Sequence, residues 1–228
     1  MIRSVDISGE WQLFMDKTGN CNEYNYNDTI ILPSTTSYSK KGEENTKRET
    51  GFLTDTYKFE GAAWFRRKLK IDSADDGRAE LFLERTRLSA LFIDGNFCGR
   101  RDSLNTPHIY DITPFADGGE HDVQICIKNV GYPTGGGHLT SPDTQTNWNG
   151  ITGRMEINYY KYARLSDVMI FPNINTGKVT VKGYLCRPAA LDVSVESFNS
   201  DKKHTPKSQR FENMFGFFSF KYDMGKDF

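Results

Sequence analysis

The chain has 228 residues, with 29 basic and 30 acidic side chains and a formal net charge of −1. That balance lacks the electrostatic footprint of a nucleic-acid binder, and no apolar run approaches the ~18 residues of a membrane span. Aromatic residues make up 13% of the chain, which excludes a disordered class, because disordered chains are poor in the aromatics needed to build a core.

Helical periodicity is scarce and period-2 alternation recurs throughout. EWQLFM (10–15) and TIIL (29–32) read as weak strands. In AAWFRRKLKI (62–71), Ala63, Phe65, Arg67, Leu69 and Ile71 fall on one face, and Trp64, Arg66, Lys68 and Lys70 on the other, the pattern of a half-buried strand. Arg66 and Arg67 therefore point apart, with one expected to meet an acidic neighbour such as Glu84. AELFLE (79–84) and SALFID (89–94) follow, and Asp94-Gly95-Asn96 signals a hairpin turn, because these residues tolerate positive φ. Further strands are expected at 108–112, 122–129, 154–160, 167–171, 178–185, 190–198 and 214–222. Many short strands with turn signals between them predict an all-β sandwich architecture.

Two stretches break this rhythm, residues 33–61 and 130–152. Loops of that length without regular structure are uncommon in compact domains and usually carry function or are disordered. A domain boundary is expected near Lys161–Arg164, dividing the chain into 1–161 and 162–228. The second segment holds four predicted strands, whereas a complete immunoglobulin-like sandwich needs roughly 100 residues and seven strands. It reads as an incomplete domain. Its open edges invite pairing with another chain, so MFGFFSFKY (214–222) is expected to mediate a homodimer or to be disordered.

Cys21, Cys98, Cys126 and Cys186 form no CxxC pair and no zinc-ligand spacing. They read as free structural thiols, with Cys126 a small buried hydrophobe. Asp72, Asp75 and Asp76 read as a solvated turn rather than a calcium site. Gly135–Gly137 has no helix start after it and reads as a loop rather than a phosphate cradle. No cofactor and no metal are expected. The N-terminus carries no apolar signal-like region. The compartment stays open: periplasmic or secreted if a signal peptide was removed, otherwise cytoplasmic.

Three stretches resemble the N-terminal region of the family 2 glycoside hydrolases, the β-galactosidases, β-glucuronidases and β-mannosidases. They are Gly61-Ala62-Ala63-Trp64-Phe65-Arg66-Arg67, the strand–hairpin–strand run 81–113 ending Asp111-Ile112-Thr113, and Asn147-Trp148-Asn149-Gly150-Ile151-Thr152-Gly153-Arg154-Met155-Glu156-Ile157. Residues 166–185 are similar to the opening strands of that family's second domain. The resemblance implies a jelly-roll (galactose-binding-domain-like) β-sandwich followed by a partial immunoglobulin-like β-sandwich. It also implies that the catalytic glutamates belong to a (β/α)₈ barrel of the same polypeptide, leaving this chain non-catalytic. It implies a carbohydrate partner in the full-length enzyme.

No two carboxylates group as a hydrolytic pair: Glu84, Asp94 and Asp111 are each better explained by their strand or turn. The richest candidate rim is the loop His138–Gly150. His138, Asp143, Gln145, Asn147, Trp148 and Asn149 offer the acid, amides and indole that suit sugar hydroxyls and C–H faces. Carboxylates make the stronger, charge-assisted bonds to hydroxyls. The competing reading is that Trp148 packs under the loop and its polar residues make turn hydrogen bonds. Functionally, three readings stand: an accessory part of a glycosidase, a stand-alone carbohydrate-binding module, and an all-β adhesion or interaction domain.

Overall fold

The structure is a computed structural model. It describes residues 3–18, 25–47, 50–135, 137–161, 163–196 and 207–225, without the side chains of 166, 207 and 213. Cys21 and the tail of the predicted strand 190–198 lie partly or wholly outside these residues. The chain divides into two units, Met1–Tyr159 and Tyr160–Phe228.

In the first unit, the strands in chain order are β1 (Arg3–Asp6), β2 (Gly9–Asp16), β3 (Asp28–Leu32), β4 (Ser34–Thr35), β5 (Glu43–Glu44) and β6 (Tyr57–Lys58). Then come β7 (Ala62–Lys70), β8 (Arg78–Thr86), β9 (Leu88–Ile93), β10 (Asn96–Arg101), β11 (His108–Asp111), β12 (Glu120–Lys128) and β13 (Gly150–Tyr160). Two antiparallel sheets form the body. One has the order β10-β9-β12-β7-β2-β3, and the other β1-β13-β8-β11 with β4 added on β13. The strands β5 and β6 pair only with each other.

Alternation explains the core. Trp11, Leu13, Phe65, Leu91, Ile93, Val123 and Ile125 from the first sheet meet Leu81, Leu83, Tyr110, Ile151, Met155 and Ile157 from the second, all at most marginally exposed. Fully burying one such side chain stabilises by about 1.5–3 kcal/mol. The predicted hairpin is present: Ile93 pairs with Asn96 across a two-residue turn whose Asp94 and Gly95 have φ of 51° and 76°. That sign at both central positions fits the right-handed strand twist. Sequence reading missed β10, because NFCGRR alternates poorly.

The two adjacent arginines do point apart, but neither meets Glu84. Arg66 pairs with Asp122 at 2.8 Å, while Arg67 donates to the carbonyls of Ile7 and Ser8 at 3.3 and 3.0 Å. Glu84 instead takes Arg154 at 2.9 Å, its cross-strand neighbour from β13. On the outer face of the six-stranded sheet, Ala62, Trp64 and Cys126 form a second cluster with Phe14, Tyr26 and Phe92. Cys126 is thus buried as expected, but outside the main core.

A buried polar pin joins the sheets. Ser89 of β9 hydrogen-bonds both His108 Nδ1 and Tyr110 Oη of β11, and His108 Nε2 donates to the Ser103 carbonyl at 2.6 Å. The Nε2–H tautomer leaves Nδ1 to accept from Ser89, whose oxygen accepts from Tyr110. Burial keeps His108 below the ordinary imidazole value, consistent with this neutral state. His121 behaves oppositely. Burial pulls it down, but carboxylates on both ring nitrogens, Asp94 at 2.7 Å and Asp117 at 3.0 Å, outweigh that and raise it.

The second unit is one antiparallel sheet in the order β14 (Leu165–Asn173), β15 (Lys178–Val195), β16 (Lys207–Asp223). It holds three described strands rather than four. The predicted strands 178–185 and 190–198 merge into β15, with register shifts between Leu185 and Ala189 and between Ala189 and Leu191. Pro188, which has no N–H to give to a ladder, sits within that irregular stretch. The hairpin doubles back there. Phe211 and Phe218 would stand roughly 23 Å apart on a straight strand, yet their ring centroids are 6.0 Å apart. Val193 and Val195 accordingly pack on Val179, Val181, Phe220 and Tyr222. The MFGFFSFKY segment belongs to β16, burying Phe218, Phe220 and Tyr222 while Phe215 and Phe217 are 59% and 70% exposed.

Two outcomes are expected. Ser89→Ala strands a buried hydroxyl and an imidazole nitrogen, costing about 1–3 kcal/mol in urea denaturation. For His121, the folded state holds its proton more tightly than the unfolded chain. Its contribution is full below the unfolded value of about 6.5 and fades as pH rises through the higher folded value. His121→Gln should therefore lower the melting temperature clearly at pH 5.5 and progressively less toward pH 8. An effect that grows with pH would contradict the assignment.

Candidate functional site

The site is built at one corner of the first unit, where the chain crosses from one sheet to the other. β8 ends at Thr86 and β9 begins at Leu88 in the opposite sheet. Arg87 alone makes the crossing. It is 2% exposed. Its Nε, Nη1 and Nη2 donate to the carbonyls of Trp148, Leu139 and Thr146 at 3.3, 2.8 and 3.0 Å. The guanidinium also lies 4.5 Å from the centroid of the Trp148 ring and 5.7 Å from that of Tyr132. One side chain thus fixes three separate carbonyls of the 138–150 loop. Burial lowers the Arg87 pKa, with Tyr132 and Asp55 among the groups that pull it back up. The same burial raises Asp55, against the Thr146 and Ser37 hydroxyls and the Arg87 charge.

Buried amides close the base. Asn129 accepts from the Gly61 N–H at 2.9 Å and donates to the carbonyls of Phe59 and Asn147 at 2.7 and 2.8 Å. Asn149 is fully buried and donates to the Ile127 carbonyl at 3.0 Å. Gly150 then lets β4 approach: it has φ of 126°, and a Cβ there would lie 2.3 Å from the Ser34 carbonyl oxygen.

These contacts leave a cavity of about 470 Å³ between residues 52–60 and 129–147. Its walls include Phe52, Lys58, Glu60, Arg87, Tyr132, Gln145 and Asn147. Two hydrogen bonds tie the walls together, Leu53 N–H to the Pro142 carbonyl at 2.7 Å and Asn147 Nδ2 to Glu60 at 3.5 Å. Burial pushes the Tyr132 phenol up to about 12, so it stays neutral and donates to Asn147 Oδ1 at 2.9 Å.

The six rim candidates separate into three groups. Gln145 and Asn147 line the cavity. Asp143 and His138 are exposed on the outer loop, where Asp143 Oδ2 accepts from Ser141 at 3.2 Å and the His138 carbonyl accepts from Gln145 at 3.4 Å. Trp148 is half-buried under Arg87, and Asn149 lies in the interior. Sequence reading missed Arg87, Asn129, Asp55 and Tyr132. Arg87 stands in the short gap between two predicted strands, but that position alone does not mark it as buried. Among the described residues, no group of three or more His, Cys, Asp or Glu side chains is placed to hold a metal.

No model of a known protein family matches the sequence, and no curated protein does. Solved structures do. A calcium-binding mutant of β-glucuronidase 2 from Bacteroides uniformis matches with a TM-score of 0.70 at 15% identity, over 97% of this chain and 28% of that one. A putative β-galactosidase from Bacteroides fragilis matches at 0.67 and 14%, over 98% and 36%. A β-D-mannosidase from Dictyoglomus thermophilum matches at 0.64 and 15%, over 96% and 30%. The chain shares the all-β fold of part of these family 2 enzymes and spans well under half their length.

Arg87→Met keeps the volume of the side chain's stem and removes the three loop bonds. It is expected to raise amide hydrogen exchange across 138–148 by at least about tenfold, the loss of one net hydrogen bond's worth of local stability. Exchange in β7 and β12 should change much less. Unchanged exchange in the loop would contradict the anchoring role.

Proposed function

We propose that this chain is the non-catalytic N-terminal portion of a family 2 glycoside hydrolase, a jelly-roll domain followed by part of an immunoglobulin-like domain. The observation that carries the reading is the agreement of the motif order with the fold. Three motifs lie in family order along 61–157, and the fold matches enzymes of that family over nearly the whole chain.

The carboxylates of this chain support a role without bond cleavage. Glu84 is held by Arg154, and Asp111 accepts from its own Thr113 turn. Asp94 and Asp117 are each bonded to a ring nitrogen of His121. In the full-length enzyme, residues 33–61 and 138–150 would brace a catalytic barrel and complete the rim around its carbohydrate. Rim contacts accelerate a reaction by positioning the sugar rather than by proton transfer. A homodimer through the second unit belongs to the same proposal, supported by the exposed Phe215 and Phe217.

A second reading, a carbohydrate-binding module acting alone, is favoured by the cavity, whose walls come entirely from the first unit. The test of the main reading is an assay of the chain on chromogenic β-galactosides, β-glucuronides and β-mannosides. No turnover is expected. Hydrolysis that survives repurification would overturn it.

A further inference from the structure

We infer that the cavity between residues 52–60 and 129–147 takes a neutral pyranose ring and discriminates against a uronate. The inference deepens the carbohydrate reading and rests on it for the class of ligand. The charge preference comes from the cavity itself.

The size and lining suit a single sugar ring. The volume of about 470 Å³ falls within the roughly 300–1,000 Å³ of small-molecule sites. Phe52 and Tyr132 supply aromatic surface for C–H faces, and Thr54, Thr140, Gln145 and Glu60 supply donors and acceptors for hydroxyls. The two walls are joined by the Leu53–Pro142 bond and the longer Asn147–Glu60 contact, which reduces the ordering left to be done on binding.

The charges of the lining are already committed. Lys58 lies 3.7 Å from Glu60. Arg87 spends Nε, Nη1 and Nη2 on main-chain carbonyls and is almost wholly buried. A uronate carboxylate entering this cavity meets Glu60 beside Lys58, and the three nitrogens of Arg87 already bond the carbonyls that hold the loop, so pairing with either cation competes with an existing contact. A carboxylate desolvated without a partner is penalised. A neutral hydroxylated ring carries no such cost, and its hydroxyls can bond Glu60 and Lys58 without displacing the contact between them.

The test is an NMR titration of the 228-residue chain with methyl β-D-galactopyranoside, methyl β-D-mannopyranoside and methyl β-D-glucuronide. At least one neutral glycoside is expected to shift the side-chain amides of Gln145 and Asn147 at millimolar concentration. The glucuronide should bind at least about tenfold more weakly, about 1.4 kcal/mol. Gln145→Ala should weaken the neutral glycoside while leaving the amide spectrum of the core in place. Glu60→Gln, which releases Lys58, should strengthen the glucuronide selectively. The inference is overturned if none of the three glycosides shifts these amides, or if the glucuronide binds the unmodified chain as well as the neutral sugars. Either result leaves the non-catalytic reading to its own assay, because absence of turnover does not depend on sugar affinity.

Discussion

The functional corner of this molecule depends on a buried cation that has no carboxylate within ion-pair distance among the described residues. Arg87 sits where the chain passes between sheets, and its guanidinium is satisfied by three carbonyl oxygens and an indole face. A planar fork with donors in fixed directions can serve several acceptors at once, which a lysine ammonium cannot do with the same geometry. An isolated buried charge is costly, and the loop carbonyls offset that cost only while the loop stays in place. The dependence therefore runs both ways: the arginine orders the loop, and the loop solvates the arginine.

That reciprocity explains why the loop can be long without being loose. It has short turn bonds of its own between 137 and 145, but these are local. The connection to the sandwich runs through Arg87, Asn129 and Asn149, each buried and each bonded to main-chain groups distant in sequence. Polar groups buried in this way specify one arrangement, because every alternative leaves some of them unpaired. The same logic operates two residues on in β9, where Ser89, His108 and Tyr110 fix how the two sheets meet.

Much of the fold was legible because strand alternation reports directly on burial. The faces of 62–71, the hairpin at Asp94-Gly95 and the all-β class follow from period and turn chemistry alone. The site was legible only in part. Gln145 and Asn147 belong to a segment whose composition suits sugars, and they do line the cavity. Trp148 and Asn149 share that composition but serve the interior, since composition cannot tell which side chain points out. Arg87 carried no signal by type, because an arginine is ordinarily a surface residue. Its burial follows from topology, the crossing between sheets, which no local pattern encodes. The doubled β15–β16 hairpin was hidden for a similar reason: two alternating runs separated by Pro188 look the same whether they form two strands or one bent strand.

The most direct measurement of this account is a double-mutant cycle between Arg87 and Trp148, using Arg87→Met and Trp148→Leu in urea denaturation. A stacked, desolvated cation–π contact that also shares a hydrogen-bonded loop predicts a coupling of about 1–2 kcal/mol. Strictly additive effects would mean that the arginine and the loop it contacts do not depend on each other, and would contradict the account.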